Sequence, residues 1–254
     1  MRYFLELAYN GTRYSGYQEQ PNRVTVQSAL EDALQLLLQT PTKVVGCGRT
    51  DAGVHALQYF VHFDVEKSLR SDFLHRLNRV IGNDILCYRI VEVAGDAHAR
   101  FDAVSRSYRY VIDVYQNPFR QETAYYCHYA DQLDIGLMQQ AAQLLLQYED
   151  FTTFCKSKTQ TKTNLCTIYE SYWEINQQEQ QLIYQVRANR FLRGMIRLIV
   201  GMCLNVGKGK TSLAQLQEAL AQKKTLKQAL SAPAQGLFLT DIRYDFITPR
   251  LFIL

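Results

Sequence analysis

Arg2-Tyr3-Phe4-Leu5-Glu6-Leu7-Ala8-Tyr9 follows the initial Met1. Tyr3, Leu5, Leu7 and Tyr9 alternate with Arg2, Phe4, Glu6 and Ala8, the period of two expected of a strand. Asn10-Gly11 ends it with a turn signal. Thr25 then opens a helix, with Val26, Leu30, Ala33, Leu34 and Leu37 at helical spacing. Residues 42–47 and 57–64 read as strands. A helix follows over 69–81, with Phe73, Leu74, Leu77 and Val80 on one face, and a strand over 85–93. The first half therefore reads β-α-β-β-α-β, the split βαβ order.

The second half repeats this order without repeating the sequence. The pattern predicts a strand over 106–115, a helix over 134–147, and strands over 165–175 and 182–188. A long helix over about 190–206, a short one over 212–222 and a strand near 237–246 complete it. The expected fold class is α+β. Two ferredoxin-like halves, residues 1–104 and 105–254, would join into one large, mostly antiparallel sheet with helices on one face. The joint near 94–105 carries no Pro/Gly-rich linker.

The 254 residues are 47% hydrophobic and 20% charged, which excludes a wholly disordered chain. No apolar run approaches the roughly 18 residues of a membrane span. The acidic Glu6 and the lack of a long apolar stretch argue against a secretory leader. Six cysteines are scattered without a C-x-x-C pair, so a reduced, cytoplasmic protein is expected. The five histidines show no metal-ligand spacing. The formal charge is +4, and its distribution is uneven. Residues 1–104 hold 11 basic and 12 acidic side chains, whereas 105–254 hold 17 and 12. A basic second half suits a polyanionic partner.

Gly46-Cys47-Gly48-Arg49-Thr50-Asp51-Ala52-Gly53-Val54-His55-Ala56 is the most unusual stretch, with three of the chain's 13 glycines within eight residues. It lacks the third glycine of a dinucleotide fingerprint and the Gly-Lys-Ser/Thr of a P-loop. No second Asp-Thr/Ser-Gly signature supports an aspartic protease. On spacing alone, Asp51 also reads as a turn or capping residue with Arg49 as a surface partner. Arg190, Arg193 and Arg197 fall at i, i+3 and i+7, one face of the expected helix; a solvated basic face is the plain alternative.

Gly48-Arg49-Thr50-Asp51-Ala52-Gly53-Val54-His55 closely resembles the active-site motif of the tRNA pseudouridine synthase A family. Tyr9-Asn10-Gly11-Thr12-Arg13-Tyr14-Ser15-Gly16-Tyr17-Gln18 resembles the family's opening strand and loop, and Thr25-Val26-Gln27 its first helix start. Ala99-Arg100-Phe101-Asp102-Ala103, leading to Arg106-Ser107-Tyr108-Arg109-Tyr110, resembles a second signature. Glu149-Asp150-Phe151-Thr152-Thr153-Phe154, Phe191-Leu192-Arg193-Gly194-Met195-Ile196-Arg197 and Pro233-Ala234-Gln235-Gly236-Leu237 resemble later ones. Tyr17 stands where the family usually has Trp, and Arg190 and Arg193-Gly194 depart from its Asn-Ala-Phe-(Leu/Val)-x-His-Met pattern.

The resemblance implies the pseudouridine synthase fold and isomerisation of uridine at tRNA positions 38, 39 and 40, in the anticodon stem-loop. Nothing is oxidised or imported, so no redox cofactor, nucleotide cofactor or metal is expected. It implies Asp51 as the catalytic carboxylate, Arg197 as its countercharge and Tyr108 against the target base. Asp51 would act as nucleophile or as base. Arg49 would support a flipped-out nucleotide. Thr50, His55, Arg190, Arg193, Lys156 and Lys158 complete the expected RNA-binding set, with His55 read as a loop-stabilising residue. Lys162, Lys208 and Lys210 are further phosphate candidates, although Gly207-Lys208-Gly209-Lys210 also reads as a helix stop. Family members are homodimers, and the apolar Leu251-Phe252-Ile253-Leu254 needs cover. Alternatives are the same reaction on other RNA positions, a non-catalytic RNA-binding protein, or a nucleotide-binding enzyme using the glycine-rich loop.

Overall fold

Strand β1 (Arg2–Tyr9) is buried on both faces. Phe4 is fully buried among the rings of Phe60, His62, Tyr244 and Phe246. Glu6 is also buried, and Arg89 Nε donates to its carboxylate at 2.5 Å. A buried carboxylate requires such a partner, and removing the arginine would cost about 3–5 kcal/mol.

The computed structural model describes residues 1–155 and 163–249. After β1 come α1 (Val26–Leu38), β2 (Val45–Gly46), β3 (His55–Asp64), α2 (Phe73–Val80) and β4 (Ile85–Val93). Then follow β5 (Ser105–Asp113), β6 (Tyr125–Tyr126), α3 (Ile135–Leu144), β7 (Ile168–Asn176) and β8 (Gln181–Ala188). Helices α4 (Met195–Gly207) and α5 (Leu213–Ala221) and strand β9 (Leu237–Arg243) complete the order. The fold is mixed α+β, with nine strands and five α-helices among the described residues. Three of the four strand pairs with longer registers or defined partners in the first unit are antiparallel, as the class expected from the pattern requires.

Met1–Arg106 and the described residues from Phe238 onward form one compact unit, and Ser107–Leu237 form the second. The division at 104/105 thus needs one correction. The last strand belongs with the first half, because β9 pairs parallel with β3 through His55↔Phe238 and Ala56↔Leu239. In the first unit the strand order is β4-β1-β3-β9. The β1–β3 register runs from Arg2↔Asp64 to Tyr9↔Ala56, and short β2 pairs with β3 at Val45↔His62. Helix α1 starts where the sequence reading puts it. Thr25 accepts the Ser28 N–H at 3.1 Å, and Ser28 Oγ accepts the Thr25 N–H, closing a capping box.

In the second unit the order is β5-β8-β7, with β6 parallel to β5 at Ile112↔Tyr125. Strands β7 and β8 form an antiparallel hairpin from Ile168↔Ala188 to Asn176↔Gln181. Helix α3 packs against α4, α5 and β7. All of α4 except Arg197 and Leu198 is buried. Its start differs from the predicted 190. Gly194 adopts φ +70° at the N-cap, so the helix begins at Met195. Arg190 and Arg193 therefore precede the helix and share no helical face with Arg197.

No described helix is long and apolar enough to cross a membrane.

Candidate active site

The glycine-rich loop joins β2 to β3 in the first unit, and its main chain is tied down almost residue by residue. Cys47 N–H donates to the Phe60 carbonyl at 2.9 Å. The Tyr59 hydroxyl donates to the Gly48 carbonyl at 2.5 Å. Tyr17 N–H donates to the Thr50 carbonyl at 3.2 Å, and the Thr50 hydroxyl lies 2.8 Å from the Tyr9 hydroxyl. Val54 N–H returns to the Asp51 carbonyl at 3.2 Å, closing a tight turn through Gly53 at φ +75°. These bonds fix the backbone on both sides of Asp51, whose side chain is half-buried. Arg49, two residues before it, is exposed.

The opening loop, residues 10–18, forms the wall against which this turn is built. Gly16, at φ +91°, brings its Cα so close that a Cβ would stand 2.7 Å from the Thr50 carbonyl oxygen. A Cβ on Gly11 would collide with the Val54 carbonyl. Gly11 N–H donates to His55 Nδ1 at 3.2 Å, and the His55 ring stacks on Phe238 at 4.7 Å. Buried in this way, His55 holds the loop. The Tyr17 ring is buried 4.6 Å from Tyr59, and a Cβ on Gly46 would strike both rings. The departure from Trp to Tyr at 17 thus falls on a residue that packs the loop. Burial pushes the Cys47 thiol up to about 11, so it remains a neutral thiol at physiological pH.

Arg106 supplies the remaining tie. Its guanidinium donates to the Cys47 carbonyl at 2.9 Å and to the Arg100 carbonyl at 2.7 Å. Sequence reasoning quoted Arg106 only as part of a signature and gave it no role. Its position six residues after Arg100 and outside the Gly-rich stretch carries no local hint of a contact with Cys47.

In the second unit, Tyr108 on β5 is half-buried and meets Phe191 edge to face at 5.2 Å. Phe191 was read only as a motif residue. Arg197 lies in the first turn of α4. Its Nε donates to the Ala232 carbonyl at 2.6 Å, and Ala232 N–H donates back to the Arg197 carbonyl at 2.9 Å. This reciprocal pair fixes the plane of the guanidinium. Arg190 is half-buried and Arg193 exposed. Lys208 lies 3.9 Å from the Tyr129 ring centre, while Lys210 is exposed. Lys156, Lys158, Lys162 and the tail Leu251–Leu254 lie outside the described residues.

Comparison with known proteins agrees across the chain. A family model described as tRNA pseudouridine synthase matches residues 141–245. A protein of Azobacteroides pseudotrichonymphae genomovar. CFP2 named tRNA pseudouridine synthase A is 44% identical over 244 residues, covering 96% of each chain. Proteins of the same name from Parabacteroides distasonis and Bacteroides fragilis are each 43% identical over 245 residues, again covering 96% of both chains.

Proposed function

The chain belongs to the tRNA pseudouridine synthase A family, and from that premise we propose that it isomerises uridine to pseudouridine in the anticodon stem-loop, at tRNA positions 38, 39 and 40. The observation that carries the assignment of Asp51 is the loop around it. Its own carbonyl accepts from Val54 N–H, and those of Thr50 and Gly48 accept from Tyr17 and Tyr59, so the carboxylate is held by a fixed backbone. Preorganisation of this kind supports a catalytic group.

The reaction breaks the N1–C1′ bond, turns the uracil and joins C5 to C1′. C5 loses its proton and N1 gains one, so the product is an isomer of the substrate. A carboxylate opens this route by attacking C1′, by attacking C6, or by removing a ribose proton toward a glycal. In each case Asp51 must be ionised when the nucleotide covers it. Burial alone would oppose that, and an opposing cation favours it. Family resemblance assigns this countercharge to Arg197, whose guanidinium the Ala232 carbonyl orients. The same resemblance sets Tyr108 against the base. Arg49, exposed on the loop, is suited to support a nucleotide drawn out of the stem. Thr50 and His55 position the loop. Arg190, Arg193, Lys156 and Lys158 are assigned to phosphates, which position RNA without reading its sequence. We place the protein in the cytoplasm as a homodimer by the same resemblance, and assign it no metal or nucleotide cofactor.

Tritium release from an anticodon-arm transcript labelled at uracil C5 tests this. Wild-type protein is expected to release tritium. Asp51→Asn should lose on the order of a hundred- to ten-thousandfold in rate while still binding tRNA. Release by both would reassign the catalytic residue. Tight tRNA binding without release by either would favour another RNA target or a binding role.

A further inference from the structure

Phe101 is 73% exposed, yet the turn that carries it is among the most firmly tied segments of the first unit. His62 Nδ1 accepts the Ala99 N–H at 3.0 Å. His98 Nδ1 accepts the N–H groups of Arg100 at 3.1 Å and Phe101 at 3.3 Å. Asp102 accepts the His98 N–H at 2.7 Å, and the Tyr244 hydroxyl donates to the Ala99 carbonyl at 2.5 Å. The Phe101 ring is supported by the His98 imidazole at 4.2 Å, and the Arg100 guanidinium lies 5.7 Å from its centre. The turn thus holds a phenyl ring out in water instead of burying it.

Arg106 connects this turn to the catalytic loop. The guanidinium that fixes the Arg100 carbonyl also binds the Cys47 carbonyl, four residues before Asp51. The presented ring and the loop are thus anchored to one side chain.

We infer that Phe101 and Arg100 form a stacking platform for a nucleotide of the tRNA substrate, Phe101 offering its π-face to a base and Arg100 its charge to the backbone. This deepens the proposed function and rests on it. An aromatic face accepts any base, and an adjacent guanidinium adds phosphate or cation–π attraction; together they bind nucleic acid with little regard to sequence. A protein partner would seek a wider apolar patch, whereas Phe101 is flanked by exposed Arg100 and Asp102. Both are positioning residues, distinct from the groups assigned to the chemistry.

The test uses the full chain with Phe101→Ala, Phe101→Leu, Phe101→Tyr and Phe101→Trp. Dissociation constants for a tRNA transcript, KM and kcat from tritium release, and mass by analytical ultracentrifugation are measured. Thermal unfolding checks that each variant folds. The Ala and Leu variants should raise Kd and KM roughly ten- to a hundredfold, with kcat falling less. The Tyr variant should stay within about twofold of wild type. Trp at 101 should show fluorescence quenching by saturating tRNA beyond that of the native Trp173. Wild-type Kd and KM in the Ala variant would overturn the platform, as would unquenched fluorescence at 101. Retained affinity in the Leu variant, with a loss of mass in the Ala variant, would assign the ring to a second copy of the chain instead. Wild-type protein that neither binds nor converts tRNA would defeat both assignments. Normal wild-type turnover with an unaffected Ala variant would defeat the platform alone.

Discussion

At Thr50 the hydroxyl meets Tyr9 and the carbonyl accepts from Tyr17, so the residue before Asp51 is held from two sides of the opening loop. Gly16→Ala would attack that arrangement. The left-handed backbone costs a side chain about 1–2 kcal/mol, and the added methyl meets the Thr50 carbonyl at 2.7 Å. Stability should fall by about 2 kcal/mol, and kcat by up to about a hundredfold as the carboxylate is displaced. Denaturant midpoints beside single-turnover rates would separate the two effects. His62 makes a different prediction. Burial, with Arg2 and His98 nearby, lowers its pKa to about 4, and its Nδ1 must stay unprotonated to accept the Ala99 N–H. The unfolded histidine titrates near 6.5, so the unfolded chain binds more protons between about 4 and 6.5. Stability is thus full above about 6.5 and declines by up to about 3 kcal/mol as pH falls through that window. His62→Asn, whose amide oxygen can accept the same bond, should flatten the decline in urea titrations at pH 7, 5.5 and 4.5. Arg49-Thr50-Asp51 was legible because three glycines and a rare residue order fall together in sequence. Tyr9, Tyr59 and Arg106 were not, because their contacts with the loop are made in space and leave no periodic trace.

Helix α4 carries its constraint at Gly201, where an added Cβ would run into the Leu230 carbonyl. Gly201→Ala improves helix propensity by up to about 1 kcal/mol, yet the overlap with backbone outweighs it. A net loss of about 2 kcal/mol or more is expected, read as a lower thermal midpoint, whereas the same change at exposed Gly209 meets no neighbour and pays only the roughly 1–2 kcal/mol of its left-handed backbone. Strand β4 and helix α5 were readable almost to the residue, since each has a clear period and a turn or cap beside it. The start of α4 was not. Arg190 to Arg193 contain no proline, and only the αL glycine at 194 marks the boundary. The two buried faces of β1 also escaped the pattern, because Phe4 and Glu6 each find a distant partner: aromatic rings from the C-terminal segment and the guanidinium of Arg89.

For the whole molecule, the informative feature is that the first unit is built from both ends of the described chain. Phe238 stacks on His55, and Gln58 Oε1 accepts the Ile242 N–H at 2.8 Å. Residues 1–106 alone should therefore lack a cooperative unfolding transition. Fusing residues 237–249 to them through a flexible linker should restore one, as measured by near-ultraviolet circular dichroism in denaturant. A persistent sharp transition in the shorter piece would show that β9 is dispensable. A strand returning to the first unit was not legible, since pairing partners far apart in sequence share no signature.

The returning strand also has a temporal meaning during synthesis. About 130 residues separate Arg106 from Phe238, which at 5–20 residues per second is roughly seven to twenty-five seconds of translation. Throughout that interval His55 waits without the ring that will cover it. A chain released before Phe238 is made would therefore leave His55, and the Gly48–His55 loop it holds, without that cover.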